Sequence, residues 1–226
     1  LVEAGRVERL APGERLYAAR FRGATAYLVT FVQIDPLFVI DLSDPQAPAV
    51  RGELKLPGFS DYLHPVADGR LVGIGQYVDP DSPWATRAGV QVNLFDVSDP
   101  TAPSVLASWV DEGDSVQNLG RQPHAFFLRA ADGQMVFPVS TYDDRMAGVD
   151  ILRFSTDELT LLERHPVSTD EPWSALDRCR PKLIGDRLVV GTDGDLQVVE
   201  AIGRMRSAMV PVGVRQKVEL AHHAAA

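Results

Sequence analysis

The chain has 226 residues and a mass of 24.7 kDa, enough to bury a sizeable core as one large domain or two small ones. With 45% hydrophobic and 23% charged residues, wholesale disorder is excluded, while 18 Gly and 16 Pro interrupt the chain too often for a helical bundle. The net charge of −9 has the wrong sign for a surface that gathers phosphates by counterion release, which argues against nucleic acid as a partner.

In chain order, residues 5–10 (GRVERL) read as a strand standing ahead of a repeated unit. The unit is anchored by two closely similar strings 55 residues apart, residues 37–50 (LFVIDLSDPQAPAV) and 92–105 (VNLFDVSDPTAPSV). Each is an apolar strand ending in Asp, a hydrophobe and Ser-Asp-Pro. The Ser and Asp side chains accept backbone N–H groups, and Pro stops the ladder. Reading outward from these anchors gives four copies of a four-strand unit.

The first strands are residues 17–21, 62–65, 124–128 and 181–184. The second strands, at 26–30, 70–74, 134–138 and 187–191, follow tight-turn signals such as Asp68-Gly69 and Asp132-Gly133, so each pair reads as a hairpin. Third strands fall at 37–42, 90–97, 149–154 and 196–201, and fourth strands at 49–56, 104–110, 159–167 and somewhere within 205–220. Four short antiparallel strands repeated at roughly 40–50 residues are the pattern of a β-propeller blade. A β-sandwich also has evenly spaced strands, but it does not need the same strand–turn string to recur in register. The expectation is an all-β fold with about four propeller blades. The strand at 5–10 either closes the ring by pairing with the last blade or is the tail of a preceding blade; if four blades do not close, two chains could pair edge to edge into one larger ring as a homodimer.

The longest apolar run, residues 24–32, is about half the roughly 20 residues a membrane helix needs, so no transmembrane span is expected. No signal peptide is read in the sequence. The single cysteine, Cys179, can form neither an internal disulfide nor a multi-thiolate zinc site, and reads as a small buried hydrophobe.

Several strings resemble a family of secreted bacterial and archaeal proteins with a C-terminal β-propeller, distantly related to WD40 repeats. They are residues 10–21 (LAPGERLYAARF), 27–42 (YLVTFVQIDPLFVIDL), 57–65 (PGFSDYLHP), 94–100 (LFDVSDP) and 124–128 (HAFFL), in the family's order. The resemblance runs from about Gly5 to about Val199 and implies an extracytoplasmic, secreted or cell-surface protein. The family's propeller region is about twice as long as this chain. On that ground residues 1–220 are a single propeller domain or the C-terminal half of a larger one, and residues 221–226 (AHHAAA) read as a tail of cloning origin. The family supplies no biochemical function.

Candidate chemistry falls into three groups. His64 and His124 lie on first strands, which line a propeller's channel, and with Arg20, Asp61 and Arg178 could ring the channel mouth to hold an anion, a metal or a carboxylate. The plainer reading is that these residues bond neighbouring strands and keep the blades in register. Ser60, Asp61 and His64 invite a hydrolase reading, but no G-x-S-x-G elbow is present and Ser-Asp beside a strand is an ordinary turn. The acidic loops carrying Asp79 and Asp81, Asp143 and Asp144, and Asp193 and Asp195 could seat calcium or another divalent metal. Two carboxylates per loop, however, supply few of the six to eight oxygens calcium takes. Trp84, Trp109 and Trp173 read as partner contacts or as core between blades. The reading reached is a non-catalytic binding or scaffold propeller that recognises a protein or cell-envelope component through loops on one face. The alternative is a metal-assisted hydrolase or lyase working around His64 and His124.

Overall fold

The computed structural model describes residues 2–31, 35–78, 87–111, 115–141, 147–167, 177–185, 187–191 and 196–199. The expected quartet of sheets is present. The first is β1 (Arg15–Arg22), β2 (Thr25–Phe31), β3 (Asp35–Asp41) and β4 (Ala49–Leu56), paired in that order. The second is β5 (Phe59–Ala67), β6 (Arg70–Val78), β7 (Arg87–Asp96) and β8 (Ser104–Asp111). The third has a short extra strand, β9 (Ser115–Val116), on the same edge of β11 as β10 but at the C-terminal end of β11; its main path is β10 (Phe127–Arg129), β11 (Gln134–Thr141), β12 (Ala147–Phe154) and β13 (Leu159–Pro166). The fourth shows three strands, β14 (Arg180–Ile184), β15 (Arg187–Gly191) and β16 (Leu196–Val199). All pairings are antiparallel between consecutive strands, apart from β9 with β11.

The core separates a propeller from a sandwich. One apolar cluster joins Ala18, Tyr27, Val29 and Val39 of the first sheet to Leu63, Leu71 and Phe95 of the second. The next joins Tyr62, Ile74, Val92 and Leu94 to Met135, Phe137, Val139 and Leu152 of the third, and another joins Val136, Val149 and Ile151 to Leu183, Leu188 and Val190 of the fourth. Each middle sheet is therefore covered on both faces. That explains why β6 and β11 are buried almost throughout while the outer β4 alternates between half-buried and exposed. Side chains such as Phe95 and Phe137 are essentially fully buried, each contributing about 1.5–3 kcal/mol of transfer free energy.

The repeated Asp-x-Ser-Asp-Pro string is a pair of side-chain-capped turns. Asp96 Oδ1 accepts from the Ser98 backbone N–H at 2.9 Å and the Ser98 hydroxyl at 2.6 Å, and Asp99 Oδ1 does the same for Thr101 at 2.8 and 2.7 Å. In the first blade Asp41 accepts from Ser43 N–H and Asp44 from Gln46 N–H. The Ala-Pro that follows has a second use. A Cβ on Gly52, in β4, would lie 2.8 Å from Pro103 Cδ of the next blade's turn, so only glycine lets the outer strand settle there. In each hairpin between first and second strands a glycine has positive φ, and Gly69 at +66° also backs onto Ser98. Arginines clasp neighbouring blades across these hairpins: Arg22 donates to Ala67 O (2.7 Å) and Asp68 (2.5 Å), Arg70 to Ser155 O (3.3 Å), and Arg129 to Gly185 O.

A buried ion pair ties the second and third blades. Arg164 on β13 donates through Nε and Nη2 to both oxygens of Asp150 on β12, at 2.6 Å each, and Nη2 also reaches Asp111 at the end of β8 at 2.6 Å.

Two expectations are corrected. Residues 5–10 form no strand pairing with any described residue, although they lie against the first sheet, where Val7 and Leu10 pack on Ala26, Phe38 and Ile40. The expected strand at 124–128 begins only at Phe127, because Pro123, without an N–H, starts a 3-10 turn over Pro123–Ala125. Trp109 lies on β8 and packs against the core between the second and third blades, the core alternative of its two readings. Cys179 is buried between the third and fourth, where burial pushes its thiol up to about 12. Trp84, Trp173, the fourth strand expected within 205–220, and residues 221–226 lie outside the described residues.

Candidate functional site

The first strands of the first two sheets, β1 and β5, stand side by side. β5 carries Asp61, Tyr62 and His64, and neighbouring β1 carries Arg20. Tyr62 and His64 are two residues apart on a strand, so their side chains project to the same side. The Tyr62 hydroxyl lies 3.0 Å from His64 Nδ1. A phenol is a stronger acid than a neutral imidazole N–H, and an unprotonated ring nitrogen is the better acceptor, so the favoured arrangement has Tyr62 donating to Nδ1. The imidazole proton then sits on Nε2, which is left as a donor. Phe126, from the segment leading into β10, closes the group, its ring centroid 4.8 Å from His64 and 5.1 Å from Tyr62.

The electrostatics follow from this packing. Burial first, and the Arg20 cation second, lower the His64 pKa to about 4, so the ring is neutral at physiological pH. Burial raises the Tyr62 hydroxyl, and Arg20 offsets part of that rise. Among the described residues the Arg20 guanidinium makes no hydrogen bond or ion pair. The group thus presents a cation, an imidazole N–H and two aromatic rings, which suits an anion and opposes a metal ion.

The other expected members are placed differently. Asp61 accepts from Gln117 Nε2 at 2.7 Å, and Gly120 backs onto its side chain, where a Cβ would meet Asp61 Cβ at 3.1 Å. Gln117 Oε1 in turn accepts from the Leu119 backbone at 2.6 Å, so Asp61 anchors the segment that crosses to the third blade. His124 is exposed on the 3-10 turn, and its neighbour Phe126 is what reaches His64. Arg178 is exposed just before β14; next to it Asp177 accepts from Asn118, and Arg180 donates to Gln122 Oε1 at 3.1 Å. The structure therefore brings Arg20 and His64 together and links the stretches bearing Asp61, His124 and Arg178 through residues 117–122. Tyr62 and Phe126 are the members that sequence reasoning missed. The two-residue spacing of Tyr62 and His64 was the available signal; nothing in the string marks Phe126.

Asp79, Asp81, Asp143, Asp144, Asp193 and Asp195 lie outside the described residues. Among the described residues no three His, Cys, Asp or Glu side chains are grouped to hold a metal ion, and no helix is long and apolar enough to cross a membrane.

Comparison with known proteins bears on the fold. An uncharacterized protein of Archaeoglobus fulgidus is 37% identical over 134 residues, 59% of this chain and 20% of that protein. An uncharacterized protein of Methanocaldococcus jannaschii is 46% identical over 95 residues, 42% of this chain and 14% of that protein. The matches thus cover a minor part of much longer relatives. Among solved structures, a prolyl endopeptidase aligns over 85% of this chain and 27% of its own at 14% identity and a TM-score of 0.49. A europium-containing methanol dehydrogenase aligns over 79% of this chain and 29% of its own at 12% identity and a TM-score of 0.45. At those scores the likeness carries no functional meaning. A model of the beta propeller domain matches residues 1–194, in agreement with the stacked antiparallel sheets: the chain belongs to the beta propeller domain family.

Proposed function

We propose that this chain is a non-catalytic recognition propeller. Its group of Arg20, Tyr62, His64 and Phe126 takes a carboxylate or similar anionic group displayed by a protein or cell-envelope partner, outside the cytoplasm. The observation that carries the reading is the Arg20 guanidinium, without a counter-charge among the described residues, beside a neutral imidazole whose Nδ1 is already engaged. A guanidinium and a ring N–H are both donors and neither can accept, so they recognise lone pairs. The rigid first strands hold them, while loops at the rim are free to vary around them.

A metal-assisted hydrolase or lyase at His64 and His124 has less support. A cation beside His64 opposes a second one, a pKa near 4 makes the ring a poor general base at neutral pH, and His124 sits on a separate exposed turn.

Titration of the 15N-labelled chain with acetate and succinate tests the reading. The His64 and Arg20 side-chain resonances should shift saturably, and Arg20→Gln should abolish the shifts while leaving the fold intact. Saturable zinc or calcium binding at His64, or no response to either anion, would contradict it.

A further inference from the structure

We propose that the anion site takes up a proton together with its ligand, so that the chain grips an anionic partner in mildly acidic surroundings and loosens its hold towards neutrality. The inference rests on the reading of Arg20 and His64 as an anion site and adds how that site is regulated.

The switch is built into one hydrogen bond. The Tyr62 hydroxyl lies 3.0 Å from His64 Nδ1, a length that serves either direction of donation. With a neutral ring the hydroxyl donates and Nδ1 accepts. In an imidazolium both ring nitrogens donate, and a hydroxyl carries acceptor lone pairs as well as its proton. Rotation about the phenolic C–O bond lets Tyr62 accept from Nδ1–H, so the ring gains a proton from solvent while every heavy atom stays in place. Nε2–H remains a donor in both states. An arginine or a peptide N–H in the place of Tyr62 would forbid the charged ring, and a carboxylate would hold it charged permanently. A phenol does neither.

The free chain gives the ring little reason to keep that proton. His64 is half-buried against Phe126, whose ring centroid lies 4.8 Å away; desolvation opposes the charge first and repulsion by Arg20 second. The other charged and titratable groups around β5 do not offset them. β1 also brings Arg22, which is bonded to Asp68 in the hairpin after β5, and β2 brings Tyr27, whose ring packs in the core with Leu63. β6 sets Val72 opposite His64, and Arg70 at its start donates to Ser155 O. β7 ends in Asp96, which is bonded to Ser98. On β5 itself Asp61 accepts from Gln117, and ahead of β10 His124 is exposed on its turn.

An anion seated between Arg20 and Nε2 offsets the repulsion and adds an attraction of its own. An opposite charge within about 4–6 Å favours a charged ring by about ten- to thousandfold. Coupling is reciprocal, so the anion gains from the proton by the factor that the proton gains from the anion. Affinity is therefore lowest at neutral pH, tightens as pH falls through the pKa of the liganded ring, and levels off below that of the free ring, about 4.

NMR titration of the full 15N-labelled chain with methanesulfonate tests this, because that ion keeps its charge where the carboxyls of succinate take up protons themselves. Its affinity should tighten by about three- to two-hundredfold between pH 7.5 and 4.5. A pH-stat at pH 5 should consume acid as neutral sodium methanesulfonate is added. His64→Gln, whose side chain cannot be charged, should show one affinity across the range and consume no acid. Tyr62→Phe, which takes away the acceptor for Nδ1–H, should flatten the rise, and His124→Gln should keep the profile of the parent chain. Circular dichroism confirms that each variant is folded. Equal affinity at every pH with no acid consumed overturns the inference and leaves the anion site in place. A rise that survives His64→Gln, or that disappears with His124→Gln, overturns it as well. No binding at any pH overturns the anion site and the proton coupling with it.

Discussion

Replacing Arg164 by Met removes both donors from a carboxylate that has no exposed surface. Asp150 has 0% side-chain exposure and is held by two 2.6 Å contacts from Arg164, whose own side chain is 23% exposed. Burial drives the Asp150 carboxyl up while Arg164 pulls it back, and Asp150 and Asp111 together hold the guanidinium charged against its own desolvation. Breaking a buried pair from one side costs about 3–5 kcal/mol, because a charge is left uncompensated in low dielectric. At roughly 2–4 °C per kcal/mol for a domain of this size, R164M should lower Tm by about 12 °C. Asp111→Asn, which leaves the Asp150 contacts in place, should cost about 1 kcal/mol or less. The double variant R164M/D150L, which removes the orphaned charge, should recover most of the loss. The pH dependence has a definite sign. Without Arg164 the folded-state pKa of Asp150 rises further above its unfolded value of about 3.9, so the native state binds more protons than the unfolded one between those values. The deficit of R164M should therefore be smallest below about pH 4 and grow as pH rises. Thermal melts followed by near-UV circular dichroism at several pH values measure this. An R164M variant within about 1 kcal/mol of the parent, with no rescue in the double variant, would refute a buried charged pair between the second and third blades.

Two further outcomes test the blade architecture. Gly52→Val forces a side chain against Pro103 and the Pro100 carbonyl and should cost about 1–3 kcal/mol, whereas Gly191→Ala, whose Cβ would meet nothing closer than 4.0 Å, should be neutral or slightly stabilising; chemical denaturation separates them. In the turns, hydrogen bonds from Ser43 hold Asp41 below the usual carboxylate range, and bonds from Ser98 do the same for Asp96. Their stabilisation is present above the unfolded carboxylate value and is lost as pH falls through the folded one, so melts below about pH 4 should drop with a slope that Asp96→Asn reduces.

The fold was largely legible because a propeller repeats itself. The string ending Ser-Asp-Pro-x-Ala-Pro recurs since the same turn must cap a strand and receive the glycine of the neighbouring outer strand, so Asp96, Pro103 and Gly52 form one structural sentence written twice. What escaped reading were the departures from repetition. β9 lies in a polar stretch with no counterpart in the repeated four-strand unit, and Pro123 delays the strand on which His124 was placed. The ion pair of Arg164 and Asp150 joins residues 14 apart on adjacent strands, where charge alone suggests a solvated surface. Burial decides such cases, and burial depends on which sheet lies opposite. The candidate site was half visible for the same reason. Arg20, Asp61 and His64 sit on strands whose position in a blade the repeat dictates, whereas Phe126 arrives from the irregular segment between blades.

The measurement that bears most directly on the recognition site is the NMR titration of the His64 imidazole, alone and with saturating succinate. Burial and Arg20 predict a pKa of about 4 for the free chain. Because that lies below the unfolded value of 6.5, stability should fall as pH drops from 6.5 towards 4, with His64→Phe removing this slope. An anion seated between Arg20 and His64 favours the imidazolium and should move the midpoint upward. A midpoint near 6.5 that succinate leaves unchanged would contradict both the buried aromatic setting of His64 and its pairing with Arg20 as an anion site.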